Sequence, residues 1–431
     1  MTALRVGFSQ CDITPPLGLP LGGYAARLGP AEGVLDPLFC RAAFFDDGAA
    51  PAAVVVLDLV YVLASWVTRL RTRAAERLGL RPGRLLMAAT HTHAGPGVFG
   101  SAIPGRSLAG YEDDLLCTVV DCLSAAQRAA VRAELQYGCA PTHGVAANRR
   151  DPSSPVDANV RVLCARAPSG VLRGVLANFG CHSTVLSAAN CSYSGDLFGA
   201  AAAEAAAQLA APVLLTNAAG GDVSTRFVRR DQSYTEVRRL GKILAEAICA
   251  AVGTAVTLPS IAVGGLGAGR DVVKVRWREL RSAGDAALEL GAAQNVLAAL
   301  RRGGADSGTL RLAESRVEGA QAELWISSQG GWQGLFGARP QAAEVQALHC
   351  ASVALVTAPG ELFASTGTWL RERLGTPTLL IGYANDYLGY FIPAADARTG
   401  GYESLIAMVE PDCESDLRDA LVAVARRATA A

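Results

Sequence analysis

The sequence predicts an α/β fold in which a mixed β-sheet core is layered with helices. Short apolar runs rich in valine, leucine and alanine recur along the chain, and their length and β-branching are typical of strands buried on both faces. Segments with helical periodicity lie between these runs, as in folds whose strands alternate with helices. Of the 431 residues, 51% are hydrophobic and 18% are charged, which favours a sizeable core over disorder.

The individual elements follow from these patterns in chain order. Seven apolar runs are predicted strands: Ala53–Val60, Leu85–Ala89, Val160–Cys164, Val171–Phe179, Val213–Thr216, Ser352–Thr357 and Thr378–Gly382. Three amphipathic runs between them are predicted helices: Ser65–Leu80, Tyr111–Ala130 and Leu197–Ala210, the last with Asp196 as its N-cap. A fourth helix is predicted through Val252, because Ser233 and Glu236 stand three residues apart ahead of it, as in a capping box.

The segment 275–323 has a different composition from the rest of the chain. It is rich in alanine, arginine, leucine and glutamate and is broken by Gly303-Gly304, a pattern that predicts a helical hairpin. We interpret it as a solvated insertion rather than a partner-binding arm, because charge-laced helices are usually simply exposed. Elsewhere the Gly- and Pro-rich stretches are local turns, so we predict a single domain over residues 1–431.

Charge and targeting signals exclude several classes of function. The chain has 39 Lys+Arg and 39 Asp+Glu, and without a basic run it lacks the phosphate-neutralising charge that nucleic-acid binding needs. The N-terminus shows no secretory signal, and no run of about eighteen apolar residues predicts a membrane span. The eleven cysteines are scattered without a C-x-x-C pair, which predicts reduced thiols. We therefore expect a cytoplasmic protein; the oligomeric state is not predicted.

Histidine is rare in this chain, so its placement is informative. His91 and His93 follow the apolar run that ends at Ala89, in the segment Thr-His-Thr-His-Ala-Gly-Pro-Gly. Residues two apart in an extended segment face the same side, and α/β folds collect ligand-binding groups after buried strands. A metal-binding role and a structural role, with both imidazoles bonded to loop carbonyls, are about equally expected from this pattern.

Three further apolar runs end in Gly-framed polar segments, which contain His182, Ser224 and Glu361. Two imidazoles with a carboxylate form a ligand set that zinc accepts, with an open position for water or substrate. Taken alone, Glu361 is more typical of the favourable acid in a helix's first turn. Ser224 alone is more typical of a capping serine, because Gly-Asp-Val-Ser lacks the G-x-S-x-G pattern.

Together these segments resemble the neutral/alkaline ceramidase family, zinc-dependent amidases that cleave the N-acyl bond of ceramide. The matching motifs occur in the family's order over nearly the whole chain. They are Gly7 with Asp12-Ile13-Thr14-Pro15-Pro16, Gly22-Gly23-Tyr24, the segment 90–97, Asn148-Arg149, Asn178-Phe179 with His182, Gly221-Asp222-Val223-Ser224, Pro359-Gly360-Glu361, Asn385-x-Tyr387-x-x-Tyr390 and Tyr402-Glu403.

The resemblance implies roles for particular residues. It implies four zinc ligands: His91, His182, Glu361 and Tyr390. His93 would lie beside the metal and hydrogen-bond the oxyanion, and three residues would line the substrate pocket: Arg149, Tyr402 and Ser224. Asp58, near the end of the first apolar run, is either an acceptor for a ligand imidazole or a strand-end loop contact.

The chain also departs from the family's pattern. Thr225-Arg226 stands where the family has Pro-Asn, and Ala94 stands where it has serine. The interval between Glu361 and Tyr390 is shorter than in long members, and we expect no C-terminal immunoglobulin-like domain. These differences spare the expected metal ligands and argue against ceramide, so they favour a soluble N-acyl substrate.

The expected activity is zinc-dependent hydrolysis of an amide, with the metal lowering the pKa of its water to roughly 7. His93, Tyr402 or a zinc-bound group would protonate the leaving amine. We expect Ser224 to position the substrate, although it could also act as a nucleophile. The same site would suit a lactone or ester hydrolase or an amide-forming acyltransferase. An alternative of another class is a non-catalytic binding protein.

Overall fold

The computed structural model describes residues 4–24, 26–27, 29–98, 109–337 and 341–430. Three sheets of four or five strands form the core of this part of the chain. The first contains, in spatial order, Leu85–Ala89, Ala52–Leu57, Phe39–Asp46, Arg5–Asp12 and Val131–Arg132. The second contains Val213–Asn217, Leu172–Phe179, Asn159–Arg166, Glu134–Pro141 and Val256–Thr257. The third contains Gly267–Lys274, Ala342–Cys350, Val353–Thr357 and Thr378–Ile381.

Each of these sheets has one parallel pair of strands at its edge, and its other pairs are antiparallel. A helix lies between the two parallel strands in the chain, namely Ala64–Leu78, Asp196–Leu209 and Ala364–Leu374 in sheet order. Three two-stranded ladders join loops: Gly33–Val34 with Ser192–Tyr193, Ala147–Asn148 with Val223–Ser224, and Glu361–Leu362 with Tyr390–Phe391. The mixed α/β fold class predicted from the sequence is confirmed.

The three sheets face one another across a shared apolar cluster. Val54, Leu176 and Leu355, one from each sheet, belong to this cluster, whereas their neighbours in sequence point to helices on the outer faces. This alternation is the period-two pattern of strands with both faces buried. The remaining helices are Ala109–Arg128, Tyr234–Gly253, Ala283–Arg302, Ser307–Ser328, Gly331–Phe336, Ala394–Thr399, Tyr402–Leu405 and Cys413–Ala430, and Pro82–Arg84 is a 3₁₀ turn.

All seven predicted strands overlap observed strands, but several antiparallel strands were not predicted. The longer ones are Arg5–Asp12, Phe39–Asp46, Glu134–Pro141, Gly267–Lys274 and Ala342–Cys350. Charged or small residues interrupt their apolar runs. Arg41 is an example: it lies buried inside a strand because Asp58 neutralises it across 2.8 Å.

The helix starts agree only in part with the expected caps. The Ser233 hydroxyl accepts a hydrogen bond from the Glu236 backbone N–H at 3.2 Å, while the Glu236 carboxylate bonds the Arg230 N–H instead of completing the box. The prediction of Asp196 as an N-cap is wrong. Gly195 is the N-cap, and Asp196 is the first helical residue, with a left-handed φ of 49°.

The predicted hairpin is formed by the helices Ala283–Arg302 and Ser307–Ser328, with Gly303-Gly304 between them. It therefore begins later and ends later than the 275–323 interval. We call the two helices the hairpin from here on. The organisation of the chain as one domain stays a prediction. Within the described ranges, no helix combines the length and the apolar character needed to cross a membrane.

Candidate metal centre

His91, His182 and Glu361 come together where the parallel strands of the three sheets end. They follow Leu85–Ala89, Leu172–Phe179 and Val353–Thr357 respectively. One ligand atom from each residue lies within 4.8 Å of the others, and all three side chains are buried. The carboxyl ends of parallel strands are where α/β folds assemble ligand sites, and here three different sheets contribute to one such site.

Backbone carbonyls fix the orientation of the two imidazoles. The Nδ1 atom of His91 lies 2.7 Å from the Val60 carbonyl oxygen, and the Nδ1 atom of His182 lies 2.7 Å from that of Gly220. Because a carbonyl only accepts, we assign the ring proton to Nδ1 in both histidines. Their Nε2 lone pairs are therefore free to face Glu361, whose Oε2 lies 3.0 Å from His182 and 3.6 Å from His91.

The charge states suit a cation. Burial lowers the pKa of the His91 imidazole to about 4 despite the opposing carboxylate, so His91 is neutral at pH 7. Burial alone would raise the pKa of Glu361, but His91, His182 and a hydrogen bond from the Tyr387 hydroxyl outweigh it and lower the value to about 2. Two imidazoles that present Nε2 and one carboxylate are donors that a divalent metal binds. This group could therefore hold a metal ion.

Tyr390 lies against this group because its short strand pairs with that of Glu361, the two residues standing directly opposite. Its hydroxyl oxygen lies 3.2 Å from His182 Nε2 and accepts a hydrogen bond from Arg149 Nη2 at 2.9 Å. Arg149 is held in turn by Glu403, whose carboxylate accepts from its Nε at 2.7 Å. Glu403 also accepts from Arg150 Nη1 at 2.8 Å, so one buried carboxylate positions two guanidinium groups.

His93 contacts the His91 ring, and Tyr402 contacts Tyr390. The Nε2 atoms of His93 and His91 are 3.1 Å apart, and no partner is found for His93 Nδ1 among the described residues. The ring packs so closely on Gly23 that a Cβ there would lie 2.4 Å from His93 Cγ, and Gly23 also has a φ of 92°. The Tyr402 ring lies edge-on to Tyr390 at 6.4 Å.

Ser224 is adjacent to the centre through its backbone. It forms an isolated bridge with His182, and its Oγ accepts a hydrogen bond from the Arg226 N–H at 3.2 Å. In the part of the chain that the structure describes, no imidazole or carboxylate is hydrogen-bonded to this hydroxyl. Asp58 is not an acceptor for a ligand imidazole: it pairs with Arg41, and the His91 ring bonds Val60 instead.

Several residues that sequence reasoning gave no role take part in the centre. Tyr387 donates to Glu361, and Tyr383 stacks on the His91 ring with centroids 4.1 Å apart. The side-chain amide of Asn217 donates to the carbonyls of Thr90 and Cys181 at 3.1 and 2.8 Å, which ties together the loops of His91 and His182. Tyr387 and Glu403 belong to sequence motifs that match the family, so their role could have been inferred. Asn217 and Tyr383 belong to no such motif, and their position after a predicted strand was the only indication of a role.

The hairpin contacts the centre's surroundings through Arg226, the cation that replaces the family's amide side chain. Arg226 Nη2 donates to Glu318 at 2.7 Å, and Arg311 of the same helix donates to the Arg226 carbonyl at 2.9 Å. Gly319 packs on Tyr402, where an added Cβ would lie 3.1 Å from the Tyr402 Cα. The hairpin therefore contacts both the loop after Ser224 and the helix that carries Tyr402.

An α/β core with a buried His-His-Glu group at its strand ends is typical of a metal-binding protein. Comparison of the sequence with known families then identifies the family. The model for the N-terminal part of neutral/alkaline non-lysosomal ceramidases matches residues 4–219, half of the chain. The chain belongs to the neutral/alkaline ceramidase family, and this membership indicates a hydrolase of amide bonds.

Solved structures show the same fold. The neutral ceramidase from Pseudomonas aeruginosa is 17% identical, with a TM-score of 0.77 over 99% of this chain and 74% of that one. A structure described as ceramidase complexed with C2 is also 17% identical, with a TM-score of 0.76 over 99% of this chain and 75% of that one. No curated protein matches the chain by sequence.

Proposed function

We propose that this protein is a zinc-dependent amidohydrolase that cleaves the C–N bond of an N-acyl compound. The observation that carries the proposal is the buried group of His91, His182 and Glu361, with both imidazoles presenting Nε2. We assign Tyr390 as the fourth ligand, because its hydroxyl reaches the same cluster. The donor atoms lie close enough together to share one ion: Glu361 Oε2 is 3.0 and 3.6 Å from the two imidazoles, and the Tyr390 hydroxyl is 3.2 Å from His182 Nε2.

Zinc held by these residues would supply a Lewis acid and would lower the pKa of a bound water to about 7. In the overall reaction the oxygen of water bonds to the amide carbon, the C–N bond breaks, and the leaving nitrogen takes up a proton. We assign His93 to stabilise the negative charge that develops on the carbonyl oxygen. Burial lowers its pKa well below the ordinary value, so it is neutral and keeps one ring N–H for donation.

Arg149 and Tyr402 have supporting roles in this proposal. The Arg149 guanidinium donates to the Tyr390 hydroxyl oxygen and lies 5.2 Å from the Tyr402 ring centroid. Burial raises the pKa of the Tyr390 hydroxyl well above its ordinary value, and the positive charge of Arg149 opposes that shift toward the deprotonated form, which is the form that binds a metal. Tyr402 lines the substrate pocket and is, with His93, a candidate donor of the proton to the leaving amine.

We assign Ser224 a positioning role rather than a nucleophilic one. A serine nucleophile needs an adjacent base, and its hydroxyl contacts the Arg226 N–H instead. Intact-mass analysis during turnover tests this assignment. An acyl adduct on Ser224 would replace direct hydrolysis by a two-step mechanism.

Metal analysis together with histidine variants tests the proposed function. We expect about one zinc per chain and release of a free acid and an amine from an N-acyl substrate. His182→Ala removes one nitrogen ligand and is expected to lower kcat/KM by roughly 10³-fold or more, because the metal supplies most of the barrier reduction. His143→Ala is the control, since His143 is exposed and lies outside the centre. Zinc-free protein with undiminished activity, or a His182→Ala variant as active as the control, would refute the proposal.

A further inference from the structure

Two arginines and a tyrosine line the chain segment that leaves His182. Arg229 Nη1 donates to the Thr184 carbonyl at 2.6 Å, and the Tyr24 hydroxyl donates to that of Leu186 at 2.7 Å. Arg27 Nη2 lies 3.4 Å from the Ser187 carbonyl. These acceptors lie within four consecutive residues, 184–187, so the three side chains form a row along one short segment of the chain.

This row begins at the candidate metal centre. The Tyr24 ring packs edge-on against His93 with centroids 4.8 Å apart, and Arg27 Nη1 donates to the His93 carbonyl at 2.7 Å. Arg229 belongs to the loop after Ser224, where its N–H donates to the Thr225 carbonyl at 2.8 Å. Both guanidinium groups are therefore held by the loops that carry His93, His182 and Ser224.

The two arginines of the row have no direct ion-pair partner among the described residues. Their protein partners are backbone carbonyls and, for Arg27, the face of the Tyr24 ring. Arg27 is 7% exposed, and burial lowers the pKa of both guanidinium groups. Removing a cation from water without a partner is costly.

The carboxylates near the row are committed to other groups. Asp196 accepts hydrogen bonds from the N–H groups of Val185, Leu186 and Leu197. Glu318 pairs with Arg226. Arg229 is only partly buried and uses one of its five donors on Thr184, so it keeps donors for an incoming anion.

We propose that Arg229, supported by the charge of Arg27, binds a carboxylate of the substrate, so that the amides hydrolysed here are carboxylate-bearing ones such as N-acyl amino acids. This inference rests on the proposed amidohydrolase function. A guanidinium fork matches a carboxylate in geometry and charge, and Arg229 is bonded to the Thr184 carbonyl, two residues after His182. A neutral ceramide-like amide would offer Arg229 no charged partner.

Three amides with one common chain length test this subsite on zinc-loaded protein: N-octanoylglycine, N-octanoylpropylamine and the N-propyl monoamide of a dicarboxylic acid. We expect kcat/KM for at least one carboxylate-bearing amide to exceed that for the neutral amide roughly 10- to 100-fold, as a charge-assisted hydrogen bond provides. The two acidic substrates show whether the carboxylate belongs to the amine or the acyl part. A neutral amide hydrolysed as well as both acids would overturn the subsite.

Variants of neighbouring arginines give the matched control. Arg229→Gln is expected to lower the ratio of kcat/KM between the acidic and the neutral amide at least 10-fold, mainly through KM, whereas Arg229→Lys restores part of it. Arg230→Gln, which changes an exposed side chain one residue later, is expected to keep the ratio. Equal losses on both substrates in Arg229→Gln would indicate a purely structural arginine.

A wild-type measurement covers the case in which Arg229→Gln does not fold. Rising salt is expected to raise KM for the carboxylate-bearing amide and to leave KM for the neutral amide unchanged. An equal response of the two amides to salt contradicts the subsite. If zinc-loaded protein hydrolyses no amide at all, the proposed function fails; if it hydrolyses neutral and acidic amides equally, only the carboxylate subsite fails.

Discussion

The two sides of the candidate metal centre are held in place by different kinds of interaction. On the ligand side, backbone carbonyls and a buried amide orient His91 and His182. On the opposite side, Arg149 and Arg226 are fixed by carboxylates of distant segments. On the ligand side, strand ends and backbone hydrogen bonds fix the positions of the side chains. The opposite side depends on individual charged side chains, so the two sides should respond differently to substitution.

The largest effect on stability is expected at Glu403. Glu403→Gln removes the buried carboxylate that holds both Arg149 and Arg150. Leaving buried charges without a partner costs about 3–5 kcal/mol, and the loss should appear in the free energy of unfolding from urea titration. Activity should fall with it, because Arg149 contacts Tyr390. A loss below about 1 kcal/mol would mean that the charged side is as tolerant as an exposed surface.

A pH-dependent effect is expected at Asp196, beneath the loop that leaves His182. Burial raises the pKa of this carboxyl to about 6, above the unfolded value of about 3.9. The folded state therefore binds the proton more tightly, and this contribution to stability is present below about pH 4 and lost as pH rises through 6.

The measurement is the difference in unfolding free energy between wild type and Asp196→Asn. It should shift in favour of wild type by about 2–3 kcal/mol when the pH falls from 8 to 4. The variant lacks this titration, so contributions of other groups cancel. A difference that does not change with pH would contradict the assignment.

On the ligand side, Asn217→Ala is expected to cost about 2–3 kcal/mol in the free energy of unfolding. The substitution removes amide bonds to Thr90 and Cys181 and leaves buried backbone groups without partners. Because it loosens the loops of His91 and His182, zinc affinity should fall as well, measured by competition with a chelator. Unchanged affinity would show that the strand ends alone position the two imidazoles.

The smallest effect is expected at the contact with the hairpin. Glu318 is 54% exposed, so its pair with Arg226 is screened by solvent. Arg226→Gln should change the free energy of unfolding by less than about 1 kcal/mol. Glu318→Gln is the matched control, and the two single changes should not add in the double variant. A cost of several kcal/mol would show that the hairpin is essential to the fold.

The sequence was most informative where structure depends on local pattern. Runs of valine and leucine predicted the parallel strands, and the residues after them were found at the centre. Long-range pairing was not visible. The pairing of Asp58 with Arg41 can be predicted only if their strands are known to be neighbours. In the sequence, Asn217 is simply a polar residue that follows a strand, and only the structure shows its amide bonded to two other loops.

Tyr390 and Asp196 show two further limits. A tyrosine ligand follows from no spacing rule, because Tyr390 reaches the group only through a two-residue ladder opposite Glu361. Asp196 lies one position after the N-cap of its helix, which is Gly195. Its carboxylate serves the N–H groups of another loop as well as that of Leu197, and its backbone adopts a conformation that periodicity does not predict.

The backbone of the centre has an evolutionary consequence. His91, Tyr383 and Asn385 all have left-handed φ angles, of 65°, 52° and 63°, and each such residue costs roughly 1–3 kcal/mol. Selection for stability alone would therefore replace them with glycine or rebuild their loops. A ligand bound only by the folded state returns free energy to it by mass action. The melting temperature of the protein would then rise with occupancy of the centre. In relatives that no longer bind the ligand, selection would favour replacing these three residues with ones that lower the backbone strain.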